Sequence, residues 1–301
     1  MWLVFFMYAM FASVFTVGKV ALHYSDPYFL TGVRMLIAGI ILLAYQILRN
    51  PALVKIQKKH LLLLFLVAFF NVFTTNAFEF WALKYMQTGK TSLIYSLQPF
   101  ASIIFSYFML KETMSFRKWT GLFIGLIGFV PIFLTHGSGE EGLKAFAFIT
   151  FPEIAVSVSA FTSVFGWIFM KQLTQKYHFP LVTANAYSFI LGAVFCFIVS
   201  FALEPWRPFP VSSFYPFLWT VLYIAIIHNV VCYNIYAYSL KKFSVTFMTF
   251  AGFTNPMFTA LYGVVFLGEK LTVNFIISLF AIILGLYIYS LDERKKNKNA
   301  L

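Results

Sequence analysis

Residues 98–112 read QPFASIIFSYFMLKE, and residues 255–269 read NPMFTALYGVVFLGE. The two stretches lie 157 positions apart, and each opens on an amide followed by a proline and closes on a glutamate. Carrying the same ungapped register outward aligns residues 82–134 with 239–291. Leu83-Lys84 then meets Leu240-Lys241, Pro99 meets Pro256, Leu110 meets Leu267, Glu112 meets Glu269 and Gly128 meets Gly285. Both copies are apolar between the proline and the glutamate, and so read as membrane helices interrupted by a residue with no backbone donor. The chain is read as two copies of one unit.

Composition fits that reading. The chain has 301 residues, of which 61% are apolar, 21% aromatic and 11% charged. Soluble domains carry about 25% charge and about 45–50% apolar residues. A water-soluble enzyme cannot hide this excess, and a disordered chain would be poor in apolar residues. The net charge of +12 is not a nucleic-acid signal, because Lys and Arg cluster at the ends of apolar runs rather than along one polar face. Cys196 and Cys232 both fall inside apolar runs, which excludes a disulfide framework and offers no metal-ligand spacing. The first apolar run begins at Met1 without a basic leader or a small-x-small cleavage site, and reads as a retained span.

Spans of about 20 apolar residues are expected near 2–22, 28–48, 61–83, 89–110, 117–134, 147–170, 180–202, 214–240, 244–267 and 272–291. Asp26-Pro27, the stretch from Arg49 to His60, the stretch from His136 to Lys144, and the prolines at 205, 208 and 210 punctuate them. Transmembrane strands would alternate over about 10 residues, and these runs do not. With the N-terminus in the cytoplasm, fifteen Lys and Arg fall in cytoplasmic segments and five opposite, so both termini are expected inside. Five spans per copy is an odd number, so the copies have opposite topology. The expected fold is an all-α membrane protein of ten transmembrane helices, arranged as two inverted five-helix repeats around a central cavity. The first repeat is placed at 1–136, the second at 145–291 and a cytoplasmic basic tail at 292–301.

The paired motifs resemble the EamA-type branch of the drug/metabolite transporter superfamily. They are Ala82-Leu83-Lys84, Gln98-Pro99, Leu110-Lys111-Glu112, Gly121 and Gly128, echoed by Ser239-Leu240-Lys241, Asn255-Pro256, Leu267-Gly268-Glu269 and Gly285. The resemblance covers essentially the whole chain. It implies that helices one to four and six to nine surround the cavity while five and ten lie outside. It also implies transport of amino acids, other metabolites, nucleotide-related compounds or drugs. The second half departs at Ser278 and Ile282, which stand opposite Gly121 and Gly125.

Polar groups within lipid are costly and so are the first candidates for function. At 100° per residue, Asn71, Thr75 and Glu79 share one stripe of the third span, with Asn76 beside it. Their counterparts are His228, Cys232, Tyr236 and Tyr233. These faces are expected to line the cavity, with Glu79 meeting a substrate ammonium or carrying a proton. The alternative is that Glu79 pairs with Lys84, Lys19 or Arg34. The fourth span offers Thr91, Tyr95, Gln98, Ser102 and Ser106, opposite Met248, Gly252, Asn255, Thr259 and Gly263. Tyr95, Gln98 and Asn255 are assigned to the cavity, and the small residues to packing. Pro99 and Pro256 should kink their helices, weaken the carbonyls of Tyr95 and Ala251, and act as hinges. Trp167 and Tyr187 are candidate stacking surfaces, and Asn185, Phe11, Ser13 and Phe15 are weaker candidates. Lys19 and Arg34 are expected to snorkel, although Arg34 can also clamp a carboxylate. Glu112 and Glu269 should pair with loop lysines or cap the next helix, and Glu140-Glu141 should form a solvated surface. The glycine face of the fifth span is expected at a helix contact, including one between subunits of a homodimer.

No phosphate-cradling loop, zinc motif or nucleophile elbow is present, so neither an enzyme nor a cofactor is implied, and transport would draw on a proton gradient or an exchanged substrate. The favoured substrates are amino acids or amine-bearing and nucleoside-like compounds such as S-adenosylmethionine. An exporter of lipophilic cationic drugs is the first alternative, for which Glu79 and the amides would be dispensable. A membrane-embedded enzyme or carrier for a lipid phosphate would need basic groups at mid-depth. A scaffold subunit would bind no small molecule.

Overall fold

The computed structural model describes residues 2–110, 115–135, 140, 143–146, 149–206, 208–243 and 245–299. Lys111, Glu112, Thr113, the segment 136–139, Glu141, Arg207 and the side chain of Ser106 lie outside the described residues.

Apart from turns and one short hairpin, the described residues are helical. The helices are α1 (Trp2–Ala21), α2 (Pro27–Arg49), α3 (Lys58–Tyr85), α4 (Thr88–Tyr95), α5 (Gln98–Leu110) and α6 (Phe116–Phe133). They continue with α7 (Phe151–Lys176), α8 (Leu181–Leu203), α9 (Phe214–Ser239), α10 (Val245–Ala251), α11 (Thr254–Leu267) and α12 (Val273–Asn299). Among the described residues, eight stretches of at least 18 residues are apolar enough to cross a membrane, the α10–α11 pair counting as one of them. The apolar part of α12, Val273–Tyr289, is a shorter ninth, and the broken pair α4–α5 completes ten segments. The protein is an all-α membrane protein.

Local chemistry sets the ends of these elements. Pro27 begins α2 at the position where a missing N–H costs nothing. Gly268 closes α11 at φ 66°, a left-handed cap that only glycine adopts freely. A short hairpin, β1 (Lys144–Phe146) with β2 (Ile149–Thr150), precedes α7. Thr150 and Glu153 then cap the helix reciprocally, so it starts at Phe151 and not near 147 as its hydropathy indicates. At the other end, α12 stays helical to Asn299, so the stretch 292–299 continues the helix of the last span.

Packing follows a two-fold pattern. Helix α2 lies along α8 and α6 along α12, each against its own repeat counterpart. The contact of α3 with α7 mirrors that of α9 with α1, and α1 with α11 mirrors α7 with α4 and α5. Asn76 Nδ2 donates to Tyr233 Oη at 2.9 Å, and these residues are 157 positions apart. A residue that touches its own counterpart lies on the axis relating the halves. The α6–α12 contact is backbone on backbone: a Cβ on Gly121 would sit 2.5 Å from the Gly285 carbonyl oxygen. The glycine face of α6 is therefore the expected helix contact, and its partner is α12 of the same chain. Ser278 and Ile282 are fully buried, so the second repeat packs as closely without those glycines because α6 supplies them.

Two segments depart from the α register at matching places. Residues Val67–Thr74 of α3 and Ala225–Cys232 of α9 are π-helical. The α4–α5 break at Ser96-Leu97 and the α10–α11 break at Gly252-Phe253 each precede a proline, Pro99 or Pro256.

Candidate functional site

The π-helical segment of α3 decides which polar residues reach the interior space. A π turn holds one more residue than an α turn, so phases counted at 100° per residue slip across it. Its widened turns leave carbonyls that nearby side chains serve. Thr74 and Thr75 hydroxyls donate to the carbonyls of Phe69 and Phe70, and Asn76 Nδ2 donates to those of Asn71 and Val72. Thr75 is also tied to α7, where Ser159 Oγ donates to its carbonyl at 2.6 Å. Asn71 packs against Gly166 of α7, where a Cβ would come within 2.2 Å of the Asn71 Cβ. Asn71, Thr75 and Asn76 thus sit in the helix contacts behind the cavity and not on its wall. Tyr187 is also elsewhere: it donates to the carbonyl of Val54, in the turn between α2 and α3.

The interior holds a cavity of about 50 Å³, or about 640 Å³ of empty space when the open mouth and the gaps between its lining atoms are counted. Of the residues singled out in the sequence, Glu79, Tyr95, Gln98, Trp167, His228, Tyr233 and Asn255 line it together with Pro99. Phe11 and Phe15, weaker candidates, line it too, as does Tyr236, identified as the counterpart of Glu79. Three repeat-related pairs, Glu79 with Tyr236, Tyr95 with Gly252, and Gln98 with Asn255, face the same space. The cavity therefore straddles the axis between the halves. Sequence reasoning missed Tyr8, Ser96 and Thr249. Tyr8 donates to the Met248 carbonyl at 2.5 Å, a contact across 240 residues that no local pattern announces.

The wall is aromatic and amide, with one acid. Trp167 stacks on Tyr236 with centroids 4.0 Å apart, so one of its faces is already covered. Gln98 donates to Ser163 Oγ at 2.5 Å, whereas Asn255 Oδ1 has no partner among the described residues. The carbonyl that Pro256 leaves without its helical donor is that of Gly252, four residues earlier, and not that of Ala251. It accepts from the Asn255 N–H at 2.9 Å, and Ala251 is served by Thr254 Oγ1, so neither waits for a substrate. Glu79 is 6% exposed and makes no hydrogen bond or ion pair among the described residues. Its three expected partners are engaged elsewhere. Lys84 pairs with Asp26 at 2.7 Å. Lys19 caps the C-terminus of α3, donating to the carbonyls of Leu83, Lys84 and Met86. Arg34 is fully buried and donates to His228 Nδ1 at 2.6 Å, Asn76 Oδ1 at 2.8 Å and Asn229 Oδ1 at 3.3 Å. Arg34 does not snorkel, because it finds its acceptors inside the bundle, whereas Lys19 places its donors on the end of α3.

At the end of the bundle nearer Glu79, charged groups lock neighbouring segments. Buried Lys90 pairs with Glu140 at 2.6 Å and Glu153 at 2.8 Å. Glu140 is thus part of a buried cluster and not a solvated surface. Glu269 accepts from the backbone N–H and hydroxyl of Thr88, so it caps α4 of the other repeat instead of the helix that follows it. Glu204 accepts from the N–H groups of Tyr28 and Phe29 at the start of α2, and burial raises its pKa above the usual carboxylate value against the pull of those hydrogen bonds. Among the described residues no cluster of three or more potential metal ligands occurs.

Comparison with known proteins points the same way. The model of the EamA-like transporter family matches residues 1–134 and 150–291. A Chlamydia muridarum protein named S-adenosylmethionine/S-adenosylhomocysteine transporter is 28% identical over 94% of this chain and 89% of its own length. The uncharacterized transporter YoaV of Bacillus subtilis is 26% identical over 92% of both chains. The uncharacterized inner membrane transporter YedA of Escherichia coli is 26% identical over 89% of this chain and 83% of its own. A crystal structure covering 97% of both chains superposes with a TM-score of 0.68 at 18% identity, which speaks to the fold alone.

Proposed function

The chain belongs to the EamA-like transporter family, and from that premise we propose that it moves a cationic or amine-bearing metabolite of the S-adenosylmethionine type across a bacterial inner membrane by alternating access. The observation that carries this reading is Glu79: a carboxylate with no hydrogen-bond or ion-pair partner among the described residues, on the wall of an aromatic cavity between the two halves. An unpaired charge in a low-dielectric interior is costly, and a cationic ligand offsets that cost. Aromatic faces suit both a purine and a positive charge. The chlamydial relatives, named for S-adenosylmethionine and S-adenosylhomocysteine, support the substrate class. Glu79, Tyr95, Gln98, Trp167, His228, Tyr233 and Asn255 form the substrate wall in this proposal, and Pro99 and Pro256 the hinges. The halves, 1–136 and 145–291, rock against each other without altering the substrate chemically. Energy comes from a proton gradient or from exchange.

The test is counterflow in proteoliposomes loaded with unlabelled S-adenosylmethionine, using radiolabelled S-adenosylmethionine and S-adenosylhomocysteine outside. Transient accumulation of label is expected, and Glu79→Gln should lower it about tenfold or more, the loss of one charge-assisted contact. Inserted protein that accumulates neither compound overturns the substrate, and wild-type rates in Glu79→Gln overturn the role of the carboxylate.

A further inference from the structure

The guanidinium of Arg34 fixes which nitrogen of His228 carries the proton. Arginine carries five donors and no acceptor, so in its 2.6 Å contact with His228 the imidazole Nδ1 must accept. The ring is then the neutral tautomer with its hydrogen on Nε2, and His228 lines the cavity. Its orientation is set from two sides: Phe11 and Tyr233 meet it edge-on at 5.1 and 5.2 Å. Arg34 itself is held away from the cavity. Asn76 and Asn229 take its other donors, and its guanidinium lies 4.2 Å from the centre of the Phe80 ring. Its hydrogen-bonding contact with the cavity wall is His228, whose Nε2–H it polarises, while its charge also acts through space on Glu79. The cavity wall that carries this donor also carries Glu79, which only accepts when ionised. No ion pair joins Glu79 to Arg34, although each lies within the other's electrostatic field.

From this juxtaposition we propose that the cavity recognises the zwitterionic head of an α-amino acid, with Glu79 taking the ammonium and the Arg34-backed Nε2–H of His228 taking the carboxylate. The proposal rests on the transporter reading and refines it. It names the aminoacyl end that S-adenosylmethionine and S-adenosylhomocysteine share, and not the sulfonium that only the former carries. Arg34 is a positioning residue here: it fixes the tautomer and touches no ligand.

The experiment measures affinity on the full chain in lipid nanodiscs for wild type, Glu79→Gln, His228→Phe and His228→Gln. Ligands are S-adenosylhomocysteine, its decarboxylated amine, 5′-methylthioadenosine (which lacks the whole head), and methionine with its decarboxylated amine. His228→Phe should weaken S-adenosylhomocysteine about tenfold or more and leave the decarboxylated amine unchanged, because only the carboxylate loses a partner. His228→Gln, whose amide N–H occupies a place near that of Nε2, should recover part of the loss. Glu79→Gln should weaken both amines, with methylthioadenosine unaffected. If His228→Phe weakens the acid and its decarboxylated amine equally, the histidine is merely structural and the proposal falls. It falls too if no wild-type zwitterion binds better than its decarboxylated counterpart. If adenosyl compounds do not bind but methionine does, losing affinity in His228→Phe, the substrate reading fails and the zwitterion site stands.

Discussion

Arg34 is the residue on which most of the interior depends. It is a fully buried cation whose hydrogen-bond partners, His228, Asn229 and Asn76, are all neutral side chains from α9 and α3. Removing it orphans three buried polar groups at once. Arg34→Met is expected to lower stability by about 3–5 kcal/mol, the cost of breaking a buried polar network. Arg34→Lys should not restore it, because a compact ammonium cannot span acceptors on two helices as a planar fork does. Thermal unfolding in detergent checks both, and a wild-type midpoint for Arg34→Lys would refute the network role. The sequence places Arg34 near the start of its span and suggests snorkelling. Counting along a helix gives depth, but the direction of the side chain depends on partners up to 195 positions away. Glu140 misleads for the same reason: its neighbour Glu141 and the surrounding glycines look like a loop, yet Lys90 draws it into a buried cluster. Glu79 is different. A lone carboxylate in an apolar span is visible in sequence, and what the structure adds is that none of its expected partners is free.

At the scale of helices, the breaks and the close contacts carry separate roles. The interruptions before Pro99 and Pro256 are legible in sequence because proline removes a donor wherever it sits. The π segments are not legible, since no residue type encodes an i→i−5 bond, and they move Asn71 off the stripe that an α count puts it on. If the proline breaks are hinges, Pro99→Ala should leave the thermal midpoint unchanged or higher while slowing counterflow severalfold, because a restored backbone bond stiffens α4–α5. Equal rates in wild type and Pro99→Ala would show that the break is only a packing feature. The α6–α12 contact predicts the opposite signature. A Cβ on Gly285 would lie 2.4 Å from the Gly125 nitrogen, so nothing can give way but the helices themselves. Gly285→Leu should separate them and lower stability by about 1–3 kcal/mol or more, the usual cost of overpacking, with the loss read as a lower melting temperature. A variant as stable as wild type would mean that the two helices are not held in this contact.

Across the whole molecule the two ends of the bundle are knit by different loops. At one end, Thr183 Oγ1 and Tyr187 Oη reach the carbonyls of Leu53 and Val54, and Gln175 reaches that of Leu240. At the other, Lys84 meets Asp26, Ser25 pairs with Val211, and Glu269 caps α4. Lys84 and Lys241 are exact counterparts in the repeat register, each following a leucine, yet they lie at these opposite ends. Two copies inserted the same way would put them on one side. Their placement predicts that Lys84→Cys and Lys241→Cys react with a membrane-impermeant maleimide from opposite compartments. The end holding Arg49, Lys55, Lys58, Lys59, Lys171, Lys176, Lys241 and Lys242 is the basic one, so Lys241→Cys should label only in inside-out vesicles and Lys84→Cys only in intact cells. Both native cysteines are free and buried, which keeps background labelling low. Lys84→Cys gives up a partly exposed ion pair, worth about 0–1 kcal/mol, so the fold should survive the substitution. Labelling of both from one side would break the inverted arrangement and take the cavity between the halves with it. Labelling from opposite sides but with the compartments exchanged would keep the repeat and reverse only its orientation, so a single pair of variants separates the architecture from the charge rule that orients it.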